Sequence, residues 1–371
     1  LFYTGNTRNK EWVRNPYQCL AIMDKEGKIT KNNEAIIKDV PKEYTDNFRD
    51  PKVFKDNNKY YCLIGAERKE NLGTIVYYES DNLKDWTFKG EIKTSFFGNG
   101  FMWECPDYLK FDDKGVLIFS PQGLKAEGDK YKNIFQSGYL IGENIDFSNG
   151  EFKHGEFTEL DRGFDFYAPQ TMTDDKNRRI LIGWMGLPEI DYPSDKNQWA
   201  HCLTLPRELQ LVNGRLIQKP VKELEQLRGE KLEFSYELNN EEKAIEGFNE
   251  KFYELICNFN NFNGKYIGLK LRKSINEETV FYYDIENKKL VLDRSKSKEK
   301  FALEYGTQRK CKYDKDELKL QIFVDISSIE VFVNDGEEVF TSRIFTGDES
   351  NELSIFADGS AKAEMKVWKI K

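Results

Sequence analysis

Arg49-Asp50-Pro51-Lys52-Val53-Phe54 opens four strand-like segments in succession: RDPKVF (49–54), KYYCLIGA (59–66), GTIVYYES (73–80) and WTFKGEI (86–92). The turn Asp81-Asn82-Leu83-Lys84-Asp85 separates the last two. The pattern then starts again. Glu104-Cys105-Pro106 leads ECPDYLKF, followed by GVLIFSPQG (115–123), SGYLIGE (137–143) and the stretch 152–160. A third round runs DFYAPQTM (165–172), RRILIGWMG (178–186), HCLTLPREL (201–209) and RLIQKP (215–220). Asp50, Glu104 and Asp165 recur at intervals of roughly 55 to 60 residues, and a period of that size with four strands per unit is the signature of a β-propeller. Ahead of Arg49, LFYTGN, QCLAIMD and KITKNN match only the second, third and fourth strands of a unit. Three whole blades and one short of its inner strand are expected.

Beyond Pro220 the texture changes. VKELEQLR (221–228) has helical spacing, so a linker helix of about two turns is expected over 221–230. From 231 to 371 the strands are longer and alternate: KYIGLKLRK, TVFYYDIE, KLVLDRS, LKLQIFVDISSIEVFVNDG, VFTSRIF and AEMKVWKI. Asn334-Asp335-Gly336 is a hairpin signal. The expected architecture is therefore all-β, with a propeller over 1–220 and a β-sandwich over 231–371.

Charge and cysteine usage narrow the function classes. With 56 basic against 64 acidic side chains, the net charge of −8 disfavours nucleic acid and anionic membranes as partners. No apolar run is long enough for a membrane helix. Cys19, Cys62, Cys105, Cys202, Cys257 and Cys311 are scattered inside apolar strands without a C-x-x-C pair. That spacing fits buried thiols of a cytoplasmic protein rather than a disulfide framework or a zinc site. His154 and His201, the two histidines, read as structural. Gly98-Asn99-Gly100 lacks the Lys-Ser/Thr that a phosphate loop requires.

Inner propeller strands line a central funnel, so residues at their entries converge on one small-molecule substrate. Glu104, set between Trp103 and Cys105, has apolar neighbours that favour a protonated carboxyl and hence a general acid. Asp50, beside Arg49, is expected to stay ionised and to stabilise positive charge or hold sugar hydroxyls. Phe101 and Trp103 are candidate stacking faces for a sugar ring. Asp165 is a further candidate sugar ligand, and Tyr167 carries a hydroxyl that could reach Glu104. Lys10, Arg14 and Arg68 are basic candidates for a phosphorylated substrate, with nothing in the sequence to separate them.

The stretches LFYTGN, FRDPKVF, WECPDY, GFDFYAPQTM, RRILIGWMG, LTLPREL, VLDRS and IFVDISSIEVFVNDG together resemble glycoside hydrolase family 32, in family order over essentially the whole chain. The resemblance implies a five-bladed propeller followed by a β-sandwich. It also implies retaining hydrolysis of β-fructofuranosides, sucrose 6-phosphate or sucrose, without metal or organic cofactor. It places the acid/base role on Glu104 and transition-state stabilisation on Asp50. Arg49 would bind the fructosyl unit and Glu104, and Tyr167 would position Glu104. The family nucleophile, the Asp of a W-M-N-D-P-N-G motif, has no counterpart among the 371 residues. The chain is thus expected to be the remainder of a longer enzyme, short of one blade and one strand, and inactive alone. A sugar-binding protein without turnover and a fructan hydrolase are the alternatives. A monomer or a homodimer is compatible with the sequence.

Overall fold

Each apolar run before residue 221 becomes a strand of a small antiparallel sheet in the computed structural model, which describes all 371 residues. Strands β1 (Phe2–Arg8), β2 (Arg14–Met23) and β3 (Ile29–Lys31) form a three-stranded sheet. Strands β4 (Tyr44–Asp56), β5 (Lys59–Arg68), β6 (Leu72–Ser80) and β7 (Thr87–Glu91) form the next. A third contains β8 (Met102–Phe111), β9 (Lys114–Gln122), β10 (Gly138–Glu143) and β11 (Thr158–Glu159). The fourth contains β12 (Tyr167–Thr173), β13 (Arg179–Met185), β14 (Cys202–Leu203), β15 (Arg207–Val212) and β16 (Arg215–Pro220). These are four propeller blades, the first without an inner strand. Their middle strands are buried on both faces, as Cys62, Leu63, Ile64 and Ala66 of β5 show, which is why they read as unbroken apolar runs.

The inner strands share a defect that sets the site. Asp50, Cys105 and Ala168 each precede a proline, and each has a left-handed backbone, with φ of 66°, 50° and 48°. Neither a side chain nor a following proline favours that conformation, and such positions cost on the order of 1–3 kcal/mol. In β4 and β8 the strain coincides with a bulge: pairing with the next strand jumps from Arg49 to Lys52 and from Glu104 to Asp107. Arg49 therefore faces Gly65 as Glu104 faces Ser120. The equivalent positions are Arg49, Glu104 and Tyr167, followed by Asp50, Cys105 and Ala168. The equivalence of Asp50, Glu104 and Asp165 expected from spacing is corrected accordingly: it is one residue out for Glu104 and three for Asp165.

The chain divides into two compact units: Leu1–Lys125 with Ile134–Glu159 and Ala168–Gln170, and Ala126–Asn133 with Leu160–Tyr167 and Thr171–Lys371. Compactness thus draws the line earlier than residue 220, and most of the fourth blade belongs with the C-terminal strands. The expected linker helix is a 3-10 turn, Lys222–Leu227, without a side-chain cap or a buried residue. Six residues are too few to offset helix nucleation, and the chain enters β17 (Arg228–Ala244) directly.

In the second unit, β18 (Tyr253–Asn260), β19 (Tyr266–Lys273), β20 (Glu278–Asp284), β21 (Lys289–Lys296) and β22 (Gln308–Lys312) join one continuous antiparallel sheet. Its other members are β23 (Leu318–Val324), β24 (Ser328–Val333), β25 (Glu338–Arg343) and β26 (Glu352–Ile370). Strands β20 and β25 stand far apart in the pairing order, yet Phe281 and Phe340 meet edge to face at 5.2 Å. The sheet is therefore folded over its own core as a sandwich. Strand β26 is the seam, pairing with β17 on one side and with β19 and then β18 on the other. Asn334 and Asp335 take left-handed φ, as the hairpin between β24 and β25 requires.

Candidate active site

A polar relay links three blades of the first unit. The Thr4 hydroxyl of β1 donates to Gln18 Oε1 at 2.9 Å and accepts the Asp50 N–H at 2.9 Å. Asp50 Oδ2 in turn accepts the Cys105 N–H at 3.1 Å, with the Cys105 thiol at 3.6 Å. Each strained amide is thus satisfied by the neighbouring blade. Glu104 sits at the same level. Its Oε1 takes the Arg49 Nε–H at 2.7 Å, with Arg49 Nη2 at 2.6 Å, and its Oε2 takes the Gln122 amide at 2.7 Å. Arg49 Nη1 is held by Asn47 Oδ1 at 2.7 Å.

Close approach of the backbones makes this possible. A Cβ on Gly65 would lie 2.2 Å from the Trp103 carbonyl oxygen and 3.3 Å from the Glu104 Cα. Gly65→Ala is therefore expected to push β8 away from β5 and separate Arg49 from Glu104. Overpacking of this kind costs about 1–3 kcal/mol, so melting temperature and turnover should fall together. A variant with wild-type turnover would show that the glycine serves packing alone.

Several expectations change here. Trp103 is fully buried, its ring 4.6 Å from Phe119 and 5.7 Å from Phe96, and its indole N–H is bound to the Asn99 carbonyl. It is a core residue and offers no face to a sugar. Its burial leaves Glu104 on the polar side of the strand, between Arg49 and Gln122, so the apolar surroundings expected for Glu104 are replaced by hydrogen-bond donors. Arg49 is committed to Glu104 and Asn47, not to Asp50. Asp50 instead has its pKa raised, first by burial and then by the charge of Glu104, with the Cys105 N–H and Arg49 opposing. Phe101 is half-buried, its ring resting over Gly123.

The raised pKa gives a sign-defined prediction for Asp50→Asn. A carboxylate whose folded pKa lies above its unfolded value carries a penalty that is absent below the unfolded value and complete above the folded one. The variant should melt higher than the wild type near neutral pH, and the difference should vanish on acidification. An unchanged or lower melting temperature at neutral pH would contradict it.

Asp165 and Tyr167 belong to the second unit. Asp165 is buried and fully engaged: Oδ1 accepts the Tyr192 hydroxyl at 2.6 Å, and Oδ2 accepts Arg294 Nη1 at 3.0 Å and the Arg343 N–H at 2.8 Å. It fastens the GFDFY segment to sandwich residues and is not a sugar ligand. Tyr167 is buried, with its ring edge-on to Trp184 at 6.4 Å. His201 packs on Trp184 and Tyr192, and its pKa is lowered by burial and then by Arg343. His154 is tied to Ser95 and Gly155. Sequence reasoning missed Thr4, Asn47 and Gln122. Thr4 and Gln122 lie inside the quoted runs LFYTGN and GVLIFSPQG, where a polar residue among apolar ones was the available signal.

Strained blade-entry strands that bring Asp50 onto the Cys105 amide, next to Glu104, define a propeller protein with a paired-carboxylate site. The model of the glycosyl hydrolases family 32 N-terminal domain matches residues 1–220, and that of the family 32 C-terminal domain matches residues 223–369. The chain belongs to glycosyl hydrolases family 32. Among its relatives, the sucrose-6-phosphate hydrolase of Staphylococcus xylosus is 44% identical over 352 residues, covering 95% of this chain and 71% of that protein. The sucrose-6-phosphate hydrolase of Bacillus subtilis is 38% identical over 376 residues, covering 99% and 76%. The solved structure of sucrose-6-phosphate hydrolase from Lactobacillus gasseri superposes with a TM-score of 0.91 at 35% identity, covering 100% of this chain and 75% of that one. A Bombyx mori family 32 β-fructofuranosidase gives 0.84 at 30%, covering 100% and 76%.

Proposed function

We propose that the chain carries the acid/base half of a retaining β-fructofuranosidase acting on sucrose 6-phosphate. The observation that supports this most is the Arg49–Glu104–Gln122 cluster beside Asp50, formed where the family resemblance places the acid/base and the stabiliser. The names of the relatives supply the substrate.

In this reading Glu104 gives its proton to the glycosidic oxygen while a nucleophilic carboxylate attacks the fructosyl anomeric carbon. The C–O bond to the leaving sugar breaks and a fructosyl ester forms. Glu104, now a base, takes a proton from water, which displaces the carboxylate and regenerates the starting configuration. Asp50 holds fructosyl hydroxyls as positive charge develops at the ring, and Phe101 borders the sugar. None of the 371 residues matches the family's nucleophile motif. The protein works in the cytoplasm, as a monomer or homodimer.

The test is hydrolysis of sucrose 6-phosphate, sucrose and a fructan by the full open reading frame, beside the 371-residue chain. Turnover of the phosphorylated disaccharide by the longer protein, with retention, is the expected result. Sugar binding without turnover in both would replace the proposal with a binding protein, and a preference for long fructans would replace its substrate.

A further inference from the structure

We infer that the hairpin joining β1 and β2 recognises a phosphoryl group on the substrate, with Arg14 as its main contact. The inference rests on the fructosidase reading above and adds the element that distinguishes a phosphorylated from a plain sugar. Arg14 Nη1 donates to Asn47 Oδ1 at 2.8 Å, and that same oxygen accepts Arg49 Nη1 at 2.7 Å. Arg49 continues to Glu104. The Arg14 guanidinium therefore stands one amide away from the arginine that holds the acid/base.

The three basic candidates of the sequence are no longer equivalent. Arg68 is neutralised by Glu91 at 2.8 Å and Glu70 at 3.4 Å. Lys10 is exposed at the hairpin tip, and neither it nor Arg14 has a carboxylate within ion-pair distance. Arg8 is likewise without an acid: it donates to the Trp12 carbonyl, and its guanidinium lies 5.3 Å from the Trp12 ring. Arg8 and Arg14 are direct cross-strand partners in the β1–β2 register. Like charges placed opposite one another destabilise a hairpin, and no carboxylate of the fold offsets them. Between residues 8 and 14 the only acid is Glu11, so this lip is cationic on a chain of net charge −8.

The hairpin tip is also preorganised. Asn9 Oδ1 accepts the N–H groups of Glu11 at 3.0 Å and Val13 at 2.8 Å, and Trp12 stands 75% exposed with a left-handed φ of 66°. Trp12 therefore packs only against the Arg8 guanidinium and leaves the rest of its ring to solvent. An arginine fork matches phosphate oxygens two at a time, and a phosphate monoester carries a charge of about −1.5 to −2 at neutral pH. Hydrogen bonds from a charged donor to that group are among the stronger ones available.

The experiment compares Arg14→Gln and Arg8→Gln in two assays. In the full open reading frame, kcat/KM for sucrose 6-phosphate divided by that for sucrose should fall about tenfold or more in Arg14→Gln, through KM. Arg8→Gln, at an exposed position where folding is not at stake, should lower the same ratio by a smaller factor. In the 371-residue chain, calorimetry with glucose 6-phosphate and glucose should show tighter binding of the phosphorylated sugar, lost in Arg14→Gln. An unchanged ratio in Arg14→Gln, whether both activities fall or neither does, would mean that Arg14 merely supports Asn47 and would overturn the inference. If the wild type hydrolyses neither sugar, the fructosidase reading fails on its own, and binding decides: equal affinity for glucose and glucose 6-phosphate overturns the phosphate site.

Discussion

Replacing Glu104 with glutamine should lower kcat on sucrose 6-phosphate by about three orders of magnitude in the full open reading frame. General acid–base catalysis supplies roughly 10²–10⁴-fold, and a glutamine can neither protonate the departing oxygen nor deprotonate water. The substitution is nearly isosteric. The amide oxygen that it introduces would still accept from Arg49, so binding of sugar should survive while turnover is lost. A fructoside with a good leaving group, such as an aryl fructoside, needs no proton for bond cleavage, and its first step should be largely spared. A burst of aryl alcohol followed by slow turnover is the expected trace. Equal loss on both substrates would move the acid role elsewhere, and unaltered turnover would remove Glu104 from the mechanism.

The second large effect concerns stability. Arg207 is fully buried, with Asp161 Oδ2 at 3.1 Å and Glu330 Oε2 at 2.7 Å, and it also donates to Gln218 and the Thr341 hydroxyl. Both carboxylates are themselves buried. Arg207→Met leaves two desolvated acids without their cation, a change that costs about 3–5 kcal/mol. Melting temperature should fall on the order of 10 °C. The penalty should shrink toward acid pH. Burial already raises the pKa of Glu330 despite Arg207, and without the arginine the folded state gains more by protonation. A carboxyl raised in this way destabilises above its folded pKa and not below its unfolded one. The triple variant Arg207→Met, Asp161→Asn, Glu330→Gln removes the charges together and should recover much of the loss. If Arg207→Met alone melts like the wild type, the network does not hold this unit together.

Strand order and blade boundaries were legible because each middle strand, such as KYYCLIGA, is buried on both faces and leaves an unbroken apolar run. The Asn-Asp-Gly turn was legible for the same local reason. The register of the site was not. Both inner strands carry the same bulge, so it shifts neither against the other; matching acid to acid aligned Asp50 with Glu104, although the prolines at 51, 106 and 169 marked the true equivalence. Trp103 was misread because its neighbour is a polar catalytic candidate. In a strand, adjacent side chains take opposite faces, and that alternation sends Trp103 inward as Glu104 faces out. Asp165 was misread because its partners, Arg294 and Arg343, lie 129 and 178 residues further along the chain. The short 3-10 turn at 222–227 defeated a propensity argument that counted good helix formers without counting how few there are.

The seam strand β26 has a consequence for the order of events during synthesis. It is the last of the sandwich strands to leave the ribosome, yet it separates and pairs the strands on either side of it, so the sandwich cannot close before it emerges. Asp161 meets its cation in Arg207 of β15, but Asp165 waits for Arg294 of β21, and both wait for the Thr341 and Arg343 N–H groups of β25. The N-terminal blades, built from contacts between near neighbours in the chain, face no such delay. Trimming a few residues from β26 therefore injures this protein more than their distance from Glu104 implies, because that strand is a keystone laid last.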